Sequence, residues 1–267
     1  MDKTSIKRKI ELTKESYQKL LEVFNAIEIG LDGKKIVEIG SGWLPIMPYF
    51  LKYFSKCQEV LTYDIREHYS SVKISQFNKI FFSEFMNQLI PEIADKRYNL
   101  PAGIKYYPST DFINVPLPEN SVDLIVSRFV LEHISFEDLL NIHIAAKKCL
   151  KKNGAIAHLI GASDHRAHAA HTDKSLSLYD FLKYSQKEWE RIQTRFDYHN
   201  RLRMPQYEEI FKKAGFSIAY KFYSCAQNND LFLKEFKKVN IHSDYKQFNV
   251  DEISACLLVF GLKREKR

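Results

Sequence analysis

The chain has 267 residues, 45% of them hydrophobic and 27% charged, a composition ordinary for a globular enzyme and enough to bury one large core. No apolar run approaches the ~18–20 residues that cross a bilayer, and MDKTSIKRKIEL carries charge with no apolar stretch behind it, so neither a membrane span nor a secretory signal is expected. Much of the net charge of +7 sits in IKRK and KREKR at the two ends, the pattern of solvated tails; without a basic stripe interleaved with aromatics it argues against nucleic acid, though positive potential still draws anionic substrates.

Residues 4–29 place Leu12, Leu20, Leu21, Phe24 and Ile27 among charges, a helical pattern suited to covering an edge or a mouth. Lys34-Lys35 leads into Ile36-Val37-Glu38-Ile39, a β-branched run closed by Gly40-Ser41-Gly42, which reads as a buried strand ending in a glycine turn. Trp43 to Phe54 is apolar and aromatic, with Pro45 and Pro48 suited to an early helical turn. Glu59 to Asp64 is a second strand with an acid at its carboxyl end. Ser71 to Leu100 is predicted to be a connecting helix with an excursion. Gly103–Tyr107 is a third strand followed by the polar loop Ser109-Thr110-Asp111, and Asn120–Asp123 turns into a fourth strand, Leu124–Ser127. A helix from Phe136 to Leu150 is expected to stop at Lys151-Lys152-Asn153-Gly154, and Ala155–Ile160 is a fifth strand.

This alternation of strand and helix predicts an α/β fold with a doubly wound, parallel sheet. After Ile160 the rhythm breaks: residues 161–204 are rich in His, Arg, Tyr and Asp and are expected to form a lid over a substrate. A helix at Gln206–Ala214 and strands at Phe216–Tyr223 and Ala255–Leu262 follow. The expected organisation is an N-terminal helical cap over residues 1–33 and one domain over 34–267. The four cysteines, Cys57, Cys149, Cys225 and Cys256, are dispersed without a Cys-x-x-Cys pair, as free thiols of a reducing cytoplasm are.

A glycine pair after a strand is weak evidence alone. Here Asp64 follows Gly42 by 64 − 42 = 22 residues, and a carboxylate about 20 residues past such a turn accepts hydrogen bonds from ribose hydroxyls. Two details favour S-adenosylmethionine (SAM) over NAD. Pro45 stands where a dinucleotide fingerprint has its third glycine, and Glu38 repels a pyrophosphate while suiting a cationic amino-acid moiety. Asp111 can accept from an adenine amino group and Phe112 can stack on the ring, although Asp111 by itself reads equally as a turn cap.

The run Ile36–Gly42 with Trp43, the acid Asp64, the pair Asp111-Phe112, and Ser121–Ile134 with Ser127 and Arg128 resemble the successive motifs of class I SAM-dependent methyltransferases. The resemblance covers about residues 34–162, and the last two strands fit the antiparallel hairpin of that fold. It implies a Rossmann-like seven-stranded, mostly parallel sheet with helices on both faces and SAM across the carboxyl ends of strands one and four. A narrower likeness, to a poorly characterised bacterial group of small-molecule methyltransferases, rests on Gly40–Trp43 with Pro45 and Pro48, Leu131–Ile134, Asp164-His165, Asn200–Arg203 and Ala214–Phe216.

Methylating a hydroxyl requires alignment and removal of a proton, a task most often given to histidine. His133 follows strand four, where a structural or cofactor-shaping role competes with catalysis. Asp164, His165, His168, His171 and Asp173 follow strand five; His165 is the expected proton acceptor, with Asp164 or another acid orienting it. His165, His168 and His171 would share a helical face able to take a metal, but no His-Glu-x-x-His pattern supports one and none is expected. Asn200-Arg201-Leu202-Arg203 suits a carboxylate, phosphate or sugar hydroxyl, against salt bridges to Glu188, Glu190, Glu208 or Glu209; Tyr184, Trp189 and Tyr198 could wall a pocket or fill core. The expected function is cytoplasmic O-methylation of a small-molecule acceptor, a sugar, polyketide or other bacterial metabolite. The alternatives are N- or C-methylation, a nucleic-acid methyltransferase and a non-catalytic SAM-binding partner protein; the sequence specifies no oligomeric state.

Overall fold

Short β-branched runs bounded by glycine and polar turns become the strands, in chain order β1 (Lys35–Ile39), β2 (Glu59–Tyr63), β3 (Ile93–Asp95), β4 (Leu100–Pro101), β5 (Ile104–Tyr107), β6 (Val122–Arg128), β7 (Leu150–Gly161), β8 (Phe216–Ser224) and β9 (Leu257–Arg264). The computed structural model describes residues 2–168, 176–193 and 198–265. Among these, seven strands form one sheet in the order β5-β2-β1-β6-β7-β9-β8, and β3 pairs with β4. β1 lies parallel to both β2 and β6, β2 lies parallel to β5, and β8 and β9 are antiparallel. The strand order reverses at β1 and β6, which makes their carboxyl ends the switch point where ligands of open α/β sheets bind. The expected doubly wound sheet with its antiparallel end is what the chain forms.

The chain divides into two compact units, residues 1–128 with 145–157 and residues 129–144 with 158–267. In the first unit, α1 (Lys3–Ala26) starts on Asp2, whose carboxylate accepts from the Ser5 amide at 2.9 Å. It buries Ile6, Ile10, Tyr17, Leu20, Val23 and Phe24 along one stripe, the spacing that directs a helix face inward. Tyr17 stacks on Phe50 of α2 (Ile46–Tyr53) with ring centroids 5.1 Å apart. α3 covers only Ser71–Asn78 and runs into a π-helical turn, Lys79–Phe85, whose Phe81 and Phe82 pack on Tyr49. The single connecting helix expected over 71–100 is therefore a helix, a π turn and the small β3–β4 hairpin.

The helix expected from Phe136 to Leu150 is α4 (Phe136–Cys149), but the strand expected from Ala155 begins already at Leu150, so Lys151–Gly154 lie in β7. The glycine is required by packing: a Cβ on Gly154 would lie 2.6 Å from the Asp123 carbonyl oxygen. Lys151 in turn reaches the Asp123 carboxylate at 2.8 Å.

The second unit contains α5 (Gln186–Ile192), α6 (Met204–Lys213), α7 (Asp230–Phe236) and α8 (Val250–Ser254). Its core gathers Tyr179, Phe181, Leu182 and Trp189 with Tyr245, Ile253 and Cys256. The segment expected as a lid thus supplies buried core through its described residues. Arg203 is buried inside this unit and donates to the carbonyls of Arg201, Ala162 and Ile253, stapling three segments together.

Candidate active site

The first unit builds a cradle at the ends of β1 and β2. Gly40 and Gly42 adopt φ of +84° and +60°, left-handed conformations that glycine takes without steric cost. The Gly40 amide donates to the Tyr63 carbonyl at 2.8 Å, which bends the chain back across β2. Asp64 then receives the turn: its Oδ2 accepts from the Ser41 amide at 3.0 Å and the Ser41 hydroxyl at 3.1 Å. Its Oδ1 accepts from the Arg66 amide at 2.9 Å, with His68 Nε2 at 3.5 Å. Tyr69 is buried and donates to the Ser41 carbonyl at 3.3 Å.

Glu38 precedes this turn. Its carboxyl is buried and accepts from Thr62 Oγ1 at 2.5 Å. Burial pushes its pKa up to about 8; the Thr62 hydrogen bond and the Arg128 charge oppose that shift and Asp64 adds to it. A buried acid held neutral next to an open glycine turn fits a ligand that brings a positive charge, since a cation nearby favours the carboxylate. A Cβ on Gly42 would meet nothing within 4 Å, so the turn has room for a ligand. The cradle therefore fits the SAM expected from the sequence.

The remaining residues expected around that ligand are more varied. Ser127 is fully buried on β6, paired in register with Ile39. Arg128 ends β6 and its Nε donates to Ser16 Oγ of α1 at 2.8 Å. Trp43 is 53% exposed, 4.7 Å from the His68 ring and beneath the Lys73 ammonium at 5.3 Å. Asp111 caps a 3₁₀ turn, Phe112–Asn114, by accepting from the Ile113 amide at 3.1 Å. Phe112 is buried edge-on to Tyr63, with centroids 6.0 Å apart.

The second unit holds a different chemistry. Glu132 and His133 sit on the turn after β6, and His165 follows β7. The Glu132 carboxylate is buried; its Oε1 accepts from the Gly161 amide at 3.1 Å and lies 3.9 Å from His165 Nε2. Gly161 is what allows that approach, because a Cβ there would stand 2.9 Å from Glu132 Oε1. The His133 and His165 ring centroids are 4.9 Å apart, and His133 Nδ1 donates to the Tyr198 carbonyl at 2.9 Å. His199 completes the group, its ring 4.6 Å from His165. Burial, then the His165, Arg203 and His133 charges, push the His199 pKa down to about 2, so that imidazole is neutral.

Asp164 takes no part in this cluster. Its carboxylate receives a two-pronged salt bridge from Arg166, with Nε at 3.0 Å and Nη2 at 2.6 Å, and Arg166 also reaches Asp180 at 3.3 Å. His168 bonds Ser163 Oγ at 3.1 Å, and His171 and Asp173 lie outside the described residues. Among the described residues, His165 therefore meets Glu132 and His133 rather than a histidine face of its own segment.

Asn200 and Arg201 are also drawn into the backbone. Asn200 Nδ2 donates to the carbonyls of Leu131 and Ile134, both at 2.8 Å. Arg201 Nη1 donates to Phe181 and Tyr184, and Nη2 to Ser185 and Gln186. Neither Arg201 nor Arg203 forms the salt bridges weighed from sequence with Glu188, Glu190, Glu208 or Glu209. Both Asn200 and Arg201 line a cavity of about 360 Å³, with Tyr198, Gln206, Asp244 and Tyr245 on its walls. Trp189 is core, its indole donating to the His199 carbonyl at 3.0 Å.

Glu132, His199, His68 and Gly161 were not singled out from the sequence. The Asp64–His68 spacing of four residues offered a signal. Glu132 and Gly161 are 29 residues apart, and only the fold joins them.

The sequence profile of a family described as a methyltransferase domain matches residues 84–158. A search of the curated proteins found no relative. Among solved structures, a SAM-dependent methyltransferase from Mesorhizobium loti is similar at TM-score 0.52 and 15% identity, over 91% of this chain and 96% of that one. Phosphoethanolamine N-methyltransferase 2 from Haemonchus contortus, solved with phosphomonomethylethanolamine and S-adenosylhomocysteine, gives 0.55 and 17%, over 93% of this chain and 52% of that one. Geranyl diphosphate C-methyltransferase from Streptomyces coelicolor, solved with Mg²⁺, geranyl diphosphate and S-adenosylhomocysteine, gives 0.53 and 10%, over 94% and 79%. A methyltransferase-domain segment is thus set in a chain whose seven-stranded sheet has the fold that these SAM-dependent methyltransferases share.

Proposed function

We propose that this chain transfers the methyl group of SAM to a hydroxyl oxygen of a small molecule, as a cytoplasmic enzyme, in keeping with its four free cysteines. The observation that carries the reading is the Asp64–Ser41 clamp on the Gly40–Gly42 turn beside a neutral buried Glu38. In this reading Asp64 accepts from a ribose hydroxyl; a carboxylate has about four acceptor sites, of which the Ser41 amide, the Ser41 hydroxyl and the Arg66 amide take three. Glu38 meets the positively charged end, Gly40, Ser41, Gly42 and Trp43 enclose the ligand, and Asp111, Phe112, Ser127 and Arg128 shape its surroundings. When bound, SAM supplies an electrophilic methyl group.

The second unit deals with the acceptor. Asn200 and Arg201 contribute to its recognition as walls of the 360 Å³ cavity, a size in the range of small-molecule sites, while Arg203 braces them from within. The described residues of 161–204 are the acceptor segment. The acceptor oxygen forms the new O–C bond, the electron pair of the broken C–S bond stays on sulfur, and the hydroxyl proton leaves at the Glu132–His133–His165 group. His165 is the side chain that engages the oxygen.

A nitrogen or carbon acceptor is the second reading, since an N- and a C-methyltransferase share the fold. Oxygen is favoured by the gathering of two imidazoles and a carboxylate, which a nitrogen acceptor does not need. The test is calorimetry with S-adenosylhomocysteine and NAD, then a screen of hydroxylated metabolites with methyl-labelled SAM. Binding of NAD without S-adenosylhomocysteine would overturn the reading. Retained SAM binding with no turnover on any acceptor would favour a non-catalytic binding protein, and salt-sensitive RNA binding a nucleic-acid substrate.

A further inference from the structure

We infer that Glu132, His133 and His165 form a binding site for a divalent transition-metal ion. The inference deepens the reading above, and only its catalytic role rests on that reading. One donor atom from each of the three residues lies within 4.8 Å of the others, with His165 Nε2 and Glu132 Oε1 at 3.9 Å. Donors at ~2.1 Å around a tetrahedral ion sit about 3.4 Å apart, so the three groups need close in by less than about an ångström and a half.

The supports of this trio have the form that metal sites use. A ligating histidine ordinarily gives its other ring N–H to a carbonyl or carboxylate, which fixes the ring and its tautomer. His133 does so: Nδ1 donates to the Tyr198 carbonyl at 2.9 Å, leaving Nε2 for an ion. Glu132 is held by the Gly161 amide at 3.1 Å, and its position depends on the missing side chain at 161. The carboxylate and the two imidazoles thus come from two separate turns, each fixed by main-chain hydrogen bonds.

A second observation is independent of the trio. His199 is only 4% exposed, and its Nε2 has no hydrogen-bond partner among the described residues. Its Nδ1 accepts from the Arg201 amide at 3.3 Å, so Nε2 carries the hydrogen. The ring stands 4.6 Å from that of His165 and 6.0 Å from that of His133. A buried N–H is costly to leave unsatisfied, and an oxygen ligand on an ion held by the trio gives it an acceptor. A pocket of about 90 Å³ lined by His165 and His199, with Asp164, Arg166 and Trp189 behind, offers room for that oxygen.

Two imidazoles and one carboxylate select a first-row transition ion, zinc foremost, over magnesium, which prefers oxygen ligands. Three protein ligands leave a coordination position open, the arrangement of catalytic rather than structural sites. A hydroxyl oxygen of the acceptor taking that position becomes more acidic, as water does on zinc, and releases its proton to solvent, since the three side chains are engaged as ligands. This is how His165 engages the oxygen: as a ligand to the ion that holds it.

The test is titration of the full, chelator-stripped chain with Zn²⁺ by calorimetry, in parallel with S-adenosylhomocysteine. One Zn²⁺ per chain is expected, with Mg²⁺ failing to compete. His165→Ala and His133→Ala each weaken zinc binding by about a hundredfold or more, while His168→Ala leaves it unchanged. Co²⁺ loaded in place of zinc gives a visible absorption band that His165→Ala abolishes; this second readout matters because Glu132→Gln, at a buried position, can fail by misfolding. Sub-stoichiometric zinc, or equal affinity in parent and His165→Ala, overturns the inference. If S-adenosylhomocysteine binds and zinc does not, the metal site alone is refuted. If zinc binds and S-adenosylhomocysteine does not, the site stands and the methyl-transfer reading falls.

Discussion

His165 and Glu132 face each other across 3.9 Å although 33 positions separate them, while Asp164, the immediate neighbour of His165, is turned away into a salt bridge with Arg166. The two acids therefore separate by experiment. His165→Ala is expected to cut turnover of an identified acceptor by about 10²–10⁴-fold while leaving S-adenosylhomocysteine affinity unchanged. Asp164→Asn should lower thermal stability, because it breaks a buried ion pair, and alter turnover far less. A variant His165→Ala with parental turnover would place the chemistry elsewhere, or show an acceptor that needs no such group.

Asp64→Ala removes charge-assisted hydrogen bonds worth about 1.5–3 kcal/mol, so affinity for S-adenosylhomocysteine should fall tenfold or more. The same change releases Ser41, whose amide and hydroxyl both donate to Asp64. Ser41→Ala should reproduce a small part of the loss. Undiminished affinity in a folded Asp64→Ala chain would show that Asp64 serves the turn alone.

Glu38 gives a pH dependence with a definite sign. Its pKa is raised by burial from an ordinary 4.5 to about 8, so the folded state holds a proton that the unfolded state releases. The stability this contributes is complete below about pH 4.5 and is lost as pH rises towards 8. Glu38→Gln stays neutral throughout and should gain stability relative to the parent between pH 5 and 8.5, measured by denaturant unfolding. Cation binding beside Glu38 should also expel the proton, making the calorimetric enthalpy of SAM binding depend on the buffer. Parallel unfolding profiles would show that Glu38 does not titrate in this window.

His143 and His158 predict the opposite limb. Both are buried, His143 Nδ1 donates to the Leu139 carbonyl at 2.6 Å, and its Nε2 accepts from His158 Nε2 at 3.0 Å. Burial lowers His143 from 6.5 to about 4 and His158 well below its ordinary value. The stability of this neutral pair is full above about pH 6.5 and is lost as pH falls towards 4. Acid unfolding followed by circular dichroism should be shallower in the double variant His143→Leu, His158→Leu than in the parent.

Gly161→Ala tests the approach of Glu132 directly. A methyl group there meets Glu132 Oε1 at 2.9 Å, and displacing a buried carboxylate by overpacking costs about 1–3 kcal/mol. The melting temperature should fall by several degrees, and the effects of Gly161→Ala and His165→Ala on turnover should not add.

The glycine turn and Asp64 were legible in the sequence because both lie at strand ends, where local residue choice and chain spacing carry the geometry. The start of β7 was not legible for a matching reason. Cations followed by Asn-Gly are a sound local sign of a helix end, and α4 does stop at Cys149, but Gly154 lies within the strand and answers to the Asp123 carbonyl on another strand. The anchoring of Arg201 and Arg203 was not legible, because their partners are main-chain oxygens at 162, 181, 184, 185 and 253, invisible to any pattern of side chains. The pairing of Glu132 with His165 needed the strand order itself.

Asn200 bears on how such an enzyme can be altered. Its amide grips the Leu131 and Ile134 carbonyls, its backbone N–H reaches the Glu132 carbonyl at 2.9 Å, and its Oδ1 accepts from Leu202 and Tyr207. The stretch proposed to recognise the acceptor is thus also the splint of the turn that presents Glu132 and His133. Transplanting residues 161–204 from a related enzyme to change the acceptor would carry off this splint and leave a foreign one in its place. A working chimera has to exchange the 131–134 turn together with the segment that binds it, because the two form a single heritable part.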